Sequence, residues 1–254
     1  MPLKVFITGA SSGIGQALAK HYAAEYQDKG GVIIGLAARR QDALETLKNS
    51  LPATAVIYPL DVRDAAALEQ AAEDFIKQFG APDIVIANAG VSAGTLTENK
   101  TDLATFNAVI DINLIGMVNT FQPFIKAMKI ASKGSLVGIA SVAGVRGLPG
   151  AGAYSASKAA AIAYLESLRV ELAPSGLHVT TIAPGYIRTP MTDINAYPMP
   201  FLMAPDVAAK KFAKAIQKQK RFVIIPWQMA WVARLMRLLP ADVWDFLMKN
   251  APHK

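Results

Sequence analysis

The chain has 254 residues and a mass of 27.1 kDa; 52% of its residues are hydrophobic and 18% charged, a balance that buries a large core and excludes disorder for the bulk of the chain. It has no cysteine, which excludes disulfides, thiolate zinc sites and thiol catalysis, and its histidines (His21, His178 and His253) are too few and too scattered for a metal cluster. The net charge is +7, and residues 206–254 account for all of it with ten basic and three acidic side chains.

A β-branched run predicts the first strand over residues 4–8, leading into Thr8-Gly9-Ala10-Ser11-Ser12-Gly13-Ile14-Gly15 and a helix over 14–27. Glycine permits positive φ and close approach of a ligand, while a helix N-terminus offers free N–H groups and partial positive charge. In this strand-turn-helix context Gly9, Ser11, Ser12, Gly13, Ile14 and Gly15 are expected to hold a dinucleotide pyrophosphate. The second strand, 32–37, runs into Ala38-Arg39-Arg40. A site for NAD usually has an acid here to hold the ribose 2′-hydroxyl. Two guanidinium groups and no acid favour a 2′-phosphate instead, hence NADP(H).

A helix over 41–50 and a strand over 55–60 follow, the strand closing in Asp61-Val62. After a helix over 65–79, a fourth strand over 84–88 closes in Asn88-Ala89-Gly90. Ligands of a doubly wound sheet sit at the carboxyl ends of strands, so these residues are expected along the cofactor cleft. Asp61 either accepts from an adenine amino group or caps the next helix.

A long helix over 103–130 and a strand over 135–141, ending in Ser141, lead to a helix over 153–173. Tyr154 and Lys158 are four residues apart on that helix and share one face. A phenol with a pKa near ~10 is a poor base, and a neighbouring ammonium is expected to lower it. The pair can then exchange a proton with an alcohol or carbonyl oxygen, and Ser141 can donate a hydrogen bond to the same oxygen. A strand over 178–183, an aperiodic Pro-rich stretch over 184–205, a helix over 206–219 and a strand over 222–225 complete the pattern. Continuous apolar strands alternating with helices imply an α/β fold of right-handed βαβ units, one parallel sheet sandwiched by helices.

These motifs, in this order and spacing, resemble the short-chain dehydrogenase/reductase family, in the branch that prefers NADP. The matching pieces are the TGASSGIG loop, Asp61-Val62, the ANAG segment from Ala87 to Gly90, Asn113 in DINL, Ser141, YSASK, and Pro184-Gly185-Tyr186-Ile187-Arg188-Thr189. The resemblance implies a three-layer Rossmann-type fold with a seven-stranded parallel sheet in the order 3-2-1-4-5-6-7. It adds Asn113 as a fourth catalytic residue, which interrupts its helix and holds a water linking Lys158 to solvent. It gives Lys158 a second role, on the nicotinamide ribose, assigns the nicotinamide carboxamide to Thr189 and the backbone of Ile187, and counts Pro184 and Gly185 among the cofactor-binding residues. Arg39 becomes the first choice for the 2′-phosphate. The Met- and aromatic-rich loop 186–205 is expected to close over an apolar carbonyl or alcohol substrate, with Ser92, Arg146 and Leu148 offered as further pocket residues. Family members are usually homodimers or homotetramers.

The expected activity is hydride transfer between NADP(H) and a carbonyl or secondary alcohol, within one catalytic domain over 1–254. A close alternative is 3-oxoacyl reduction on an acidic carrier protein met by Lys210-Lys211-Phe212-Ala213-Lys214 and Lys220-Arg221. An alternative of another class is a non-catalytic NADP(H) sensor, against which the full set of Asn113, Ser141, Tyr154 and Lys158 speaks. A serine hydrolase would have only His178 as base, and no recognition motif supports nucleic-acid binding. The tail, 227–250, is a basic amphipathic segment broken at Pro240. Trp227, Trp231, Val232, Leu235, Met236, Leu238 and Leu239 cover more than half of its helical wheel, so it is expected to dock on its own domain, another subunit or, as the third choice, a membrane surface. With no leader segment and no run of about 20 apolar residues, the expected location is the cytoplasm.

Overall fold

Alternating side-chain direction sets the layers. In β1 (Leu3–Thr8), Val5 and Ile7 join one buried cluster and Phe6 joins the other, the period-two geometry of a strand covered on both faces. The computed structural model describes residues 1–195 and 197–249; His253 and the last residue of the expected 227–250 tail lie outside them. The remaining strands are β2 (Val32–Ala38), β3 (Thr54–Pro59), β4 (Ile84–Ala87), β5 (Ser135–Ile139), β6 (His178–Pro184) and β7 (Phe222–Ile225). All pairs are parallel, and the order 3-2-1-4-5-6-7 is the expected one.

Helices α1 (Gly13–Tyr26), α2 (Gln41–Ser50) and α8 (Pro205–Gln217) cover one face, burying Leu18, Leu44, Leu47 and Phe212 against Ile34, Leu36 and Ile182. On the other face lie α3 (Ala65–Phe79), α5 (Gly116–Ile130) and α6 (Gly152–Leu172). There the Phe6 ring meets Phe124 at 4.7 Å and Phe75 edge-on at 5.7 Å between centroids. The result is the three-layer Rossmann-type arrangement that the alternating pattern implied.

Three stretches differ from the expected elements. The single helix expected over 103–130 is α4 (Asp102–Ile110), a π-helical segment (Asp111–Ile115) and then α5. This continuum is long and apolar enough to cross a membrane by length and composition, contrary to the expectation that no segment is. Here, however, Met117, Phe121, Phe124 and Met128 of α5 are buried in the sheet-facing core. β5 stops two residues before Ser141, which instead opens a 3-10 turn (Val142–Gly144). The aperiodic stretch contains α7 (Pro190–Asp193) and a bridge between Ile187 and Met203. Beyond β7 come α9 (Trp227–Leu238) and α10 (Ala241–Met248), separated by Pro240 as expected.

Candidate active site

A cavity of about 440 Å³ opens where the strands end. Ser141, Tyr154 and Lys158 line it, as do all the expected cofactor residues except Gly15: Gly9, Ser11, Ser12, Gly13, Ile14, Arg39, Arg40, Asp61, Val62, Asn88, Ala89, Gly90, Pro184, Gly185, Ile187 and Thr189. Gly15 and Asn113 stand behind the wall. A Cβ on Gly15 would meet the Gly9 carbonyl oxygen at 2.3 Å, so only glycine lets α1 pack this closely on the loop. Gly9 itself has φ +67°, in the left-handed region. Asn88 fastens the loop: its Nδ2 donates to the carbonyls of Thr8 at 3.0 Å and Gly9 at 3.3 Å. Thr8, which the sequence reading did not single out, is fully buried, and its Oγ1 accepts from the Asn88 N–H at 3.2 Å. Ser12 precedes α1 without capping it through its side chain, so the first-turn N–H groups are left for an anion in the cavity.

At the far end of the cavity, Arg40 Nη2 donates to Ser11 at both its carbonyl oxygen (3.2 Å) and its Oγ (3.1 Å). That guanidinium is thus already drawn toward the Gly9–Gly15 loop, with Arg39 beside it on the wall. Asp61 does not cap α3; Asp64 does, accepting from the Ala67 N–H at 3.0 Å. The Asp61 carboxylate is instead gripped by Arg63, through Nε at 3.1 Å and Nη2 at 2.7 Å, which holds its pKa below the usual carboxylate range.

The remaining group sits where β5, α6 and the π segment meet. Ser141 Oγ accepts from the Ala143 N–H at 3.1 Å and shares a hydrogen bond with the Tyr154 hydroxyl. Lys158 is buried, donates from Nζ to the Ile139 carbonyl at 3.0 Å, and lies 5.8 Å from the centre of the Tyr154 ring. Burial pushes the Tyr154 phenol upward, and the hydrogen bond with Ser141 only partly opposes that. Burial also drives the Lys158 amine down to about 8. The net direction for the phenol is thus the reverse of the lowering expected from Lys158: desolvation is the leading cause for both groups, raising the phenol and lowering the amine.

Asn113 is fully buried, and both of its amide protons are used. Oδ1 accepts from the Val91 N–H at 2.8 Å, while Nδ2 donates to the Val91 carbonyl at 2.9 Å and to Ser157 Oγ at 3.0 Å. Three bonds exhaust both amide protons and one lone pair, so the side chain is a brace between the π segment, the loop after β4 and α6. Ser157, the third partner, was legible only as part of YSASK.

Arg146, Leu148 and Ser92 do not line the cavity; Arg146 binds the carbonyls of Met236 and Leu239 instead. His178 begins β6, at the opposite end of that strand from the cavity, so it does not meet Ser141 there. Among the described residues no group of His, Asp and Glu could hold a metal ion. The sequence reading missed Thr192, whose Oγ1 accepts from the Thr189 N–H (2.9 Å) and donates to the Ile187 carbonyl (2.8 Å), shaping that wall. Its signal is the spacing Thr189-Pro190-Met191-Thr192, a capping box that opens α7.

Comparison with known proteins gives a family model described as short chain dehydrogenase, matching residues 4–197. An uncharacterised oxidoreductase of Myxococcus xanthus is 38% identical over 94% of this chain and 93% of its own length. An 11-beta-hydroxysteroid dehydrogenase-like protein of Arabidopsis thaliana is 34% identical over 96% of this chain and 80% of its own. The structure of an alcohol dehydrogenase from Thermococcus sibiricus, complexed with 5-hydroxy-NADP, superposes with a TM-score of 0.77 at 26% identity, covering 89% of this chain and 96% of that one.

Proposed function

Since the chain belongs to the short-chain dehydrogenase/reductase family, and so is an oxidoreductase acting on CH–OH groups with NAD(P), we propose that it uses NADP(H) to reduce the carbonyl of an apolar small molecule. The observation that carries this reading is the single cavity wall on which Arg39 and Arg40 stand at one end and Ser141, Tyr154 and Lys158 at the other.

The residues present fit the dinucleotide. The Gly9–Gly15 loop packs too closely to accept a Cβ at its first or last glycine, and the start of α1 is open to an anion. Arg39 and Arg40 would hold the 2′-phosphate, Lys158 the nicotinamide ribose, and Ile187 and Thr189 the carboxamide. When bound, the nicotinamide supplies or accepts the hydride. Ser141 donates a hydrogen bond to the carbonyl oxygen, stabilising the negative charge that develops there, and the Tyr154 hydroxyl gives that oxygen its proton. Lys158 then restores the proton to Tyr154. Its pKa of about 8 lies close to neutral pH, where an amine both gives up and regains a proton readily. Asn113 keeps the π segment and α6 in place behind this group.

The carrier-protein alternative is not favoured. The basic side chains offered for it lie on α8 or, with Lys220 and Arg221, just before β7, at the end of the strand opposite the cavity. Within the substrate loop Met191 reaches the cavity wall, which supports an apolar substrate. We place the enzyme in the cytoplasm as a homodimer or homotetramer. A panel of ketones, aldehydes and oxoacyl thioesters followed by NADPH absorbance tests the activity. Tyr154→Phe should cut turnover at least ~100-fold with NADPH affinity retained. Unchanged turnover in that variant, or a clear preference for NADH over NADPH, would overturn the assignment.

A further inference from the structure

Only one side of the C-terminal hairpin is explained by the domain it rests on. Met229 and Ala233 of α9 are buried against Val142, with Val145 and Ile224 beside them. Arg146 fixes the hairpin's far end: Nη1 donates to the carbonyls of Met236 at 2.5 Å and Leu239 at 2.7 Å, and the guanidinium lies 4.6 Å over the Trp244 ring. The hairpin is thus a fixed part of the fold.

Its outward side is apolar. Trp227, Trp231, Leu235 and Leu238 are 65%, 63%, 61% and 81% exposed, and Phe246 of α10 is 78% exposed. At ~100° per residue the four α9 side chains share an arc of roughly 80° on the side opposite Met229 and Ala233. Arg234 borders that arc, with its guanidinium 5.0 Å over the Trp231 ring, Arg237 follows on the same side roughly 80° from the arc, and α9 has no acidic residue.

We infer that α9 and α10 form a docking surface for a lipid bilayer with anionic headgroups. A contiguous exposed apolar patch marks an interface. Tryptophan and leucine on one arc, with arginine at its edge, suit the boundary of a bilayer, where the aromatic rings sit at headgroup depth and the guanidinium groups reach the phosphates. Charge decides between this occupant and a second copy of the chain. Arg234 and Arg237 are the charged side chains of α9, and the acids of the hairpin, Asp242 and Asp245, lie on α10, so packing α9 face to face on its own copy sets arginine against arginine, whereas an anionic lipid layer neutralises both. The hairpin also abuts the cavity: a Cβ on Gly185, a wall residue, would lie 2.7 Å from Met229 Cγ. A docked enzyme would meet an apolar substrate where it is concentrated; that corollary rests on the function proposed above, whereas the docking does not.

The chain's three tryptophans, Trp227, Trp231 and Trp244, all lie in these two helices, so intrinsic emission reports on the hairpin alone. The full chain is mixed with phosphatidylcholine vesicles containing or lacking phosphatidylglycerol, and emission and co-sedimentation are followed. The expected result is a blue shift and co-sedimentation, with roughly thirtyfold tighter binding to the anionic vesicles from the two arginines. Arg234→Gln with Arg237→Gln should remove most of that preference. Trp231→Glu with Leu235→Glu should weaken binding at least ~10-fold, while unchanged NADPH binding shows the fold intact. The inference is overturned if neither vesicle binds, if the double glutamate variant binds as well as the parent, or if light scattering shows that variant breaking up an oligomer. Failure of the oxidoreductase reading would appear separately, as absent NADPH turnover with vesicle binding unaffected.

Discussion

Replacing Lys158 by methionine should stabilise the protein while abolishing its activity. The amine is buried on α6 and its pKa is pushed from the ordinary 10.5 down to about 8, with burial as the cause. A folded-state pKa below the unfolded one means the charged form is penalised by folding. At pH 7 the amine is protonated in both states, so the full penalty applies, about 3 kcal/mol for a shift of this size. Methionine removes that penalty but leaves the Ile139 carbonyl, which Nζ reaches at 3.0 Å, without its donor, a loss of about 1 kcal/mol. The net gain is about 2 kcal/mol, or roughly 4–8 °C in Tm for a chain of this length. The gain must depend on pH. The penalty is full below about 8, shrinks as pH rises from there toward 10.5, and vanishes once the amine is neutral in both states, which leaves the variant about 1 kcal/mol less stable than the parent through the lost hydrogen bond. Urea unfolding of the cofactor-free parent and Lys158→Met at pH 7 and at pH 10 measures it. A variant less stable than the parent at pH 7, or an equal difference at both pH values, would refute the reasoning.

Other expectations follow from the same contacts. Asn113→Ala strips partners from the Val91 N–H, the Val91 carbonyl and Ser157, and should cost about 2–4 kcal/mol by urea unfolding; a cost under about 1 kcal/mol would mean the brace is dispensable. Gly15→Ala puts a methyl 2.3 Å from the Gly9 carbonyl oxygen, so the loop must shift and NADPH affinity by calorimetry should fall at least ~10-fold; an unchanged affinity would count against that packing. Arg146→Ala frees the carbonyls of Met236 and Leu239 and the Trp244 ring, so acrylamide should quench tryptophan emission more readily. Equal quenching would show that other contacts hold the hairpin.

Much of this protein is legible in the chain itself. The continuous apolar strands, the glycine loop, the arginine doublet and the Tyr154–Lys158 spacing are local patterns, set by backbone sterics and by the periods of strand and helix. Ser141, Tyr154, Lys158 and the expected cofactor residues other than Gly15 do line one cavity. What the sequence could not set was the environment of each side chain, because desolvation and pairing depend on neighbours far apart in the chain. Tertiary packing spends the Asn113 amide on Val91 and Ser157, turns Asp61 toward Arg63, and makes Arg146 a clamp on α9 rather than a pocket residue. It also raises the Tyr154 phenol and lowers the Lys158 amine, since burial disfavours whichever form is charged. The helical wheel of 227–238 likewise shows a wide apolar arc, but only the packing of Met229 and Ala233 decides which part of it is left to face outward.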